Sequence, residues 1–187
     1  MKTETEDHGQ QNASGWYSSI AEMVAALECD YNRLEELTDE RADILDRRDD
    51  TSAAAVTRAL AQKELDRWDT ENGDELRELT EAATLEGEIQ KDADSVRERI
   101  QESPLSVEVR SGWHSPGDED AKPEEFCILL STGGPALRLC GDLSEHGEPE
   151  RAYLQYQDWG TPWTDYYAGE GSGDVLLTFA QQFFFGE

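Results

Sequence analysis

Phe126-Cys127-Ile128-Leu129-Leu130-Ser131-Thr132-Gly133-Gly134-Pro135-Ala136-Leu137-Arg138-Leu139-Cys140 reads as two strands about a turn. Apolar and other side chains alternate on either side, and Gly133-Gly134 supplies the positive φ that a tight two-residue loop demands. Pairing counted outward from those glycines sets Ile128 opposite Leu139, Leu130 opposite Leu137 and Cys127 opposite Cys140. Upstream, Leu105, Val107 and Val109 alternate with Ser106, Glu108 and Arg110, which predicts a half-buried strand. Downstream, Arg151 to Gln157 predicts a fourth strand with Ala152, Leu154 and Tyr156 on one face. A loop follows from Asp158 to Gly173. Asp174 is then placed to cap Val175, Leu176, Leu177, Phe179, Ala180, Phe183 and Phe184, an aromatic helix or strand that closes the chain. The simplest domain that buries these residues is a four-stranded antiparallel sheet covered by a C-terminal helix.

The first hundred residues follow a different period. Ile20, Val24, Leu27, Tyr31, Leu34 and Leu45, flanked by Met23, Leu37 and Ile44, recur at helical spacing, which predicts one long helix from about Trp16 to Asp49. Ser14 or Ser18 would cap its start, and Arg41, Arg47 and Arg48 suit the negative pole at its end. Asp49-Asp50-Thr51-Ser52 breaks the pattern, and Thr51 or Ser52 caps a second helix with Val56, Leu60, Leu65 and Trp68 as its stripe. The short connection predicts antiparallel helices. Asn72-Gly73-Asp74 either stops this helix and caps another, or lets it run through Gly73 at about 1 kcal/mol. A last short helix, Ser95 to Gln101, is capped by Asp94 or Ser95 and ended by Pro104. The expected organisation is α+β: a disordered acidic tail over 1–14, a helical hairpin or small bundle over 15–103, and the sheet domain with its C-terminal helix over 104–187.

Charge bounds the function. The 187 residues carry 43 Asp and Glu against 16 Lys and Arg, a net charge of −27. Such a chain cannot neutralise phosphates and is repelled by anionic membrane, so direct nucleic-acid binding and membrane docking are excluded as expectations. A charged partner should be basic. Both parts share the acidity, with 28 acids and 12 bases up to Ser103 and 15 acids and 4 bases after it. The start of the chain, Met1 to Asn12, has no apolar stretch and predicts no secretory signal, which points to the cytoplasm. Three cysteines (Cys29, Cys127, Cys140) do not form a secreted disulfide framework and are expected to be reduced.

No catalytic signature is present. GxSxG, P-loop and GxGxxG patterns are missing, and His8, His114 and His146 each fall in polar or loop sequence, so no enzyme is predicted. An acid pair such as Asp158 and Asp165 could exchange protons, although chance pairs are common among so many carboxylates. Cys127 and Cys140 are close enough for a cross-strand disulfide or two ligands of a soft metal, yet no CxxC or HxxxH spacing completes a site. No metal and no cofactor are expected. The plain alternative is that both thiols pack as small apolar groups.

Two groups suggest a protein partner. Glu35, Glu36, Asp39, Glu40, Asp43 and Asp46 on the first helix would steer a basic surface, while Trp113, Asp158, Trp159, Trp163 and Asp165, with Tyr166 and Tyr167, have the composition of aromatic anchors with an acidic rim. Small sheet domains also bury such loop aromatics to complete a thin core, the fate expected for Trp159 and Trp163. Carboxylates can stand where a nucleic-acid enzyme expects phosphates. From Trp16 to Asp50, however, 11 acids and 4 arginines lie along about 50 Å of helix, against one charge per about 1.7 Å of duplex DNA, so mimicry needs more than one helix. Saline adaptation gives the same composition.

Ser106-Val107-Glu108-Val109-Arg110-Ser111-Gly112-Trp113, Ser131-Thr132-Gly133-Gly134-Pro135, Gln157-Asp158-Trp159-Gly160-Thr161-Pro162-Trp163-Thr164 and the ending Gln182-Phe183-Phe184-Phe185-Gly186-Glu187 resemble a family of uncharacterised acidic proteins carried on bacterial plasmids, integrative elements and phages. The likeness covers the C-terminal part by motif and the helical part by general character. It implies a role similar to that of small acidic inhibitors of restriction or CRISPR enzymes, and it attaches no catalytic residue. The expected function is therefore a non-enzymatic, DNA-mimicking inhibitor that binds a basic nucleic-acid-handling protein of the host. The alternative is an accessory protein that forms a homodimer through its helical hairpin, with Ile20, Leu27 and Leu34 as the seam.

Overall fold

The computed structural model describes residues 8–113, 115 and 122–186. In chain order the elements are α1 (His8–Leu27), α2 (Tyr31–Asp49), α3 (Ala55–Ala82), a ribbon of β1 (Thr84–Leu85) and β2 (Glu88–Ile89), α4 (Ala93–Glu102), β3 (Ser106–Ser111), β4 (Pro123–Ser131), β5 (Ala136–Leu143), β6 (Pro149–Gln157), β7 (Thr164–Tyr166) and α5 (Ser172–Ala180). The fold is α+β, and β3 to β7 form one antiparallel sheet in sequence order. That is five strands where four were expected. β7 lies inside the expected loop because three residues, Thr-Asp-Tyr, are too short and too polar to show a period of two.

The described residues group into two compact units, one from Ala25 to Ser95 and one that joins 8–24 to those from Val96 onward. The expected boundary at Ser103-Pro104 divides it differently, because most of α1 and α4 belong with the sheet. Both helices bring fully buried side chains to that unit, Ala13 and Ile20 from α1, Val96 and Ile100 from α4.

The expected long helix is two helices. After α1, Asp30 turns the chain and caps α2 by accepting the backbone N–H of Arg33 at 3.0 Å. A short polar side chain of this kind satisfies an otherwise unpaired donor of the new first turn. Tyr31 donates its hydroxyl to the Ala26 carbonyl at 3.0 Å, and burial pushes its pKa up to about 12. Residues 8–14, expected as part of a disordered tail, lie in α1, while Met1 to Asp7 fall outside the described residues.

In the helical unit Asp50 ends α2 and its carboxylate accepts both the N–H and the hydroxyl of Ser52. Thr51 and Ser52 thus lie in the turn, and α3 starts after Ala54 with no side-chain cap. α3 continues through Gly73, the second of the two readings. Leu37 and Ile44 of α2 meet Leu65 and Trp68 of α3, with Leu45, Leu76 and Leu79 packed beside them. Arg33 bridges to Glu75, Arg41 to Asp69 and Arg47 to Glu64, partners that recede along one helix as they advance along the other, so the pair is antiparallel.

The Gly-Gly hairpin has the expected register over most of its length. Ile128 faces Leu139 and Cys127 faces Cys140, but a bulge after Leu129 puts Ser131, not Leu130, opposite Leu137. One face of the sheet holds Phe126, Ile128, Leu137, Leu139 and Leu154, all fully buried or nearly so. α5 packs on β6 over this face with Leu176, Phe179 and Ala180 buried, and the Phe185 ring stacks 4.7 Å from that of Phe126. Gly141 makes room for this: a Cβ there would collide with the Arg151 carbonyl and the Phe126 ring. α4 joins the same layer through Gln101, which donates to the Gln182 carbonyl at 2.8 Å. Its start is capped by Asp92, which accepts the Ser95 N–H at 2.8 Å, in place of the expected Asp94 or Ser95. Asp174 likewise sits in the first turn of α5, and left-handed Gly171 precedes it as the cap position. β3 departs most from expectation. Val107 and Val109 align with Ile128 and Phe126 on the core face, yet they are 41% and 48% exposed, with Leu105 at 61%, because β3 is an edge strand.

Candidate functional site

The six α2 carboxylates share one side of the helix. At about 100° per residue, Glu35, Asp46, Asp39, Asp43, Glu36 and Glu40 fall within an arc of about 140°, and the buried Leu34, Leu37 and Ile44 lie on the remainder. All six are exposed. Glu36 is held by Arg33 at 2.6 Å and Glu40 accepts the Trp68 indole N–H at 3.1 Å. Among the described residues, Glu35, Asp39 and Asp46 have no side-chain hydrogen bond or ion pair. Arg33, Arg41 and Arg47 reach α3 carboxylates, and Arg33 is shared between Glu75 and Glu36 of the arc. From Glu35 to Asp46 the axis advances about 17 Å, so the arc holds one carboxylate per about 3 Å, close to the one phosphate per about 3.4 Å of a single DNA strand.

The aromatic residues belong to the sheet unit and are positioned by its turns. Trp159 lies across the backbone of Gly134, where a Cβ would enter the indole, and it remains 79% exposed. Trp163 is half-buried, with the Arg138 guanidinium 4.1 Å above its ring centre, a cation–π contact between loop and sheet. The expectation of burial thus holds in part for Trp163 and fails for Trp159. Trp113 is fully exposed and borders an open concavity of about 590 Å³ with Arg110, Ser111, Gly112 and Glu125. Asp158 accepts the Trp159 N–H at 2.7 Å and Asp165 accepts the Gln155 amide at 2.7 Å. Both expected rim acids therefore serve to shape their own loop and strand.

The face of the sheet opposite the core is ordered in rows by the strand register. One row runs Arg110, Glu125, Asp142, Arg151; the next Glu108, Cys127, Cys140, Tyr153; the third Ser106, Leu129, Arg138, Gln155, Asp165. Arg110 pairs with Glu125 across β3 and β4. In the middle row Cys140 donates its S–H to Cys127, with the sulfurs 2.9 Å apart. That hydrogen bond, aided by Arg138 and opposed by burial and Glu108, lowers the Cys127 pKa to about 7. Cys140, the donor, is raised by the same bond and by burial. Cys29 is different: burial and Asp30 push its thiol up, and it donates to the Leu79 carbonyl at 3.6 Å.

Arg138 and the three bridging arginines of the hairpin carry no motif. Their signal lies in pairing register, readable only once the strands and helices are aligned. His146 is exposed, and His114 lies outside the described residues. Among the described residues no group of three or more His, Cys, Asp or Glu could hold a metal ion, and no helix is long and apolar enough to cross a membrane. Comparison with protein-family models, curated proteins and solved structures found no match.

Proposed function

We propose that the chain is a non-enzymatic acidic inhibitor of the mobile-element type, which binds a basic nucleic-acid-handling protein of the host by presenting carboxylates in place of phosphates. The observation that carries the reading is the α2 arc: six exposed carboxylates on one side, at a linear density close to that of one DNA strand, with Arg41 and Arg47 drawn onto α3 and Arg33 shared between Glu36 and Glu75. Charge of this kind steers association and fixes orientation more than it supplies affinity. The affinity is assigned to the exposed aromatics of the sheet unit, Trp113 and Trp159, large rings that desolvate well against a guanidinium-rich surface.

Such an interaction is salt-sensitive and competes with DNA. The experiment is capture of host proteins on the tagged chain at about 0.1 M salt, followed by challenge with duplex DNA, which screening and competition should both weaken. A nuclease or other DNA-handling enzyme that DNA displaces supports the reading. Neutralisation of Glu35, Glu36, Asp39, Glu40, Asp43 and Asp46 to the corresponding amides should then slow and weaken capture; capture at unchanged strength overturns the reading. Of the seam expected for the dimeric alternative, Ile20 and Leu34 are buried within the chain and Leu27 is half-buried.

A further inference from the structure

We propose that Cys127 and Cys140 form a redox-active dithiol that low-molecular-weight disulfides oxidise, with Cys127 as the attacking thiol and Cys140 as the resolving one. The geometry comes first. The two residues are direct partners in the β4–β5 register, and opposed residues of an antiparallel pair have Cα atoms about 4.5–5.5 Å apart, inside the range a disulfide spans. Their sulfurs are already 2.9 Å apart. Closure to a bond of about 2 Å therefore needs side-chain rotation and no movement of the strands.

Placement separates this pair from two thiols that simply fill space. Both lie on the face opposite the core, in a row with Glu108 and Tyr153 and between rows that carry Glu125, Asp142 and Arg138. The core face is filled by Phe126, Ile128 and Leu139, and the two thiols alternate away from it. The two thiols are also unequal. Cys127 is half-buried and is the acceptor of the S–H bond, whereas Cys140 is 7% exposed and is the donor. The thiolate is the nucleophile, and the lowered pKa of Cys127 makes it the one available near neutral pH.

The chemistry is ordinary thiol–disulfide exchange. The Cys127 thiolate attacks one sulfur of a small disulfide RSSR, a mixed disulfide forms, and RS⁻ leaves and takes up a proton. Cys140 then loses its proton, attacks the Cys127 sulfur and expels the second RSH. The sum is one RSSR reduced to two RSH and two protein thiols oxidised to one intramolecular disulfide.

The test uses the full chain carrying Cys29→Ser, exposed to oxidised glutathione and read by intact mass and peptide mapping. The expected product is about 2 Da lighter and holds a single link between the peptides of Cys127 and Cys140. With Cys140→Ser added, a stable glutathione adduct should build up on Cys127; with Cys127→Ser added, an adduct on Cys140 should form at least about tenfold more slowly. In the unsubstituted chain, brief iodoacetamide treatment should label Cys127 at least about tenfold faster than Cys29, a readout that stands even where a serine variant fails to fold. Free thiols at both positions after oxidation would overturn the proposal. Equal rates at the two cysteines would overturn the assigned roles.

Discussion

The helical hairpin and the open face of the sheet both display charge, but they arrange it in opposite ways. On the hairpin, Arg33, Arg41 and Arg47 reach to α3 and leave an arc in which, among the described residues, only Glu36 is held by a cation. On the sheet, register places Arg110 beside Glu125 and Arg151 beside Asp142, so the two central acids of that row each have a cation on the adjacent outer strand. The hairpin is a surface with reach and little local chemistry; the sheet face is nearly neutral in pattern and carries the perturbed thiols. Net charge says nothing of this division. It is decided by which elements the cations are drawn to, and exposed pairs of this kind contribute little stability, so their main effect is on pattern.

The largest test of the contrast lies in the cores. Phe126→Ala, which removes the ring under Phe185, should destabilise the sheet unit by about 3–5 kcal/mol in urea unfolding followed by near-ultraviolet dichroism. A loss no larger than that of an average surface change would mean that the sheet core does not depend on this stack. One substitution should then act with opposite sign in the two regions. Gly141→Ala forces a methyl group against the Arg151 carbonyl and the Phe126 ring and should cost about 1–3 kcal/mol, whereas Gly73→Ala, in open space mid-helix, should stabilise by about 1 kcal/mol. Matching signs in the shifts of the urea midpoint would remove the distinction.

Smaller effects concern charge. Because 43 acidic residues face 16 basic ones, screening relieves more repulsion than it removes attraction, and the Tm should rise by a few degrees between about 0.05 and 0.5 M sodium chloride. A fall would show that pairing dominates. The smallest effect is acid-linked. Arg47 and Arg33 hold Glu64 and Glu75 below the usual glutamate value near 4.5, so the unfolded chain binds their protons more readily. The contribution is thus complete above that value and is lost as the pH falls through the lower, folded one. Removal of both carboxylates as Glu64→Gln and Glu75→Gln should lower stability slightly at pH 7, where both pairs are intact, and flatten the stability curve below about pH 4.5, where the parent loses them.

The hairpin from Phe126 to Cys140 was legible because alternation and a Gly-Gly turn define register together, and with it the opposition of Cys127 to Cys140. The break before α2 was hidden for a physical reason. Leu27, Tyr31 and Leu34 keep helical spacing straight across Asp30, so periodicity continues where the backbone does not. The bulge after Leu129 left no trace, since moving one residue within Leu129-Leu130-Ser131 preserves an apolar run. The carboxylate arc of α2 followed from residue spacing, but the withdrawal of its arginines needed the partner helix. The seat of Trp163 on Arg138 needed the third dimension entirely.

β3 carries one more consequence. It ends the sheet with a row of main-chain groups that, among the described residues, no further strand takes up, beside the exposed side chains of Leu105, Val107 and Val109. Edges of that kind template the addition of other chains, and proteins block them with charge. Here the guard is the electrostatic repulsion between whole molecules, each carrying a net charge of −27 at neutral pH. The same acidity assigned to partner recognition thus acts as a colloidal brake. As pH approaches the isoelectric point near 4.2 the brake is released, and molecules should begin to join edge to edge through β3 while each remains folded.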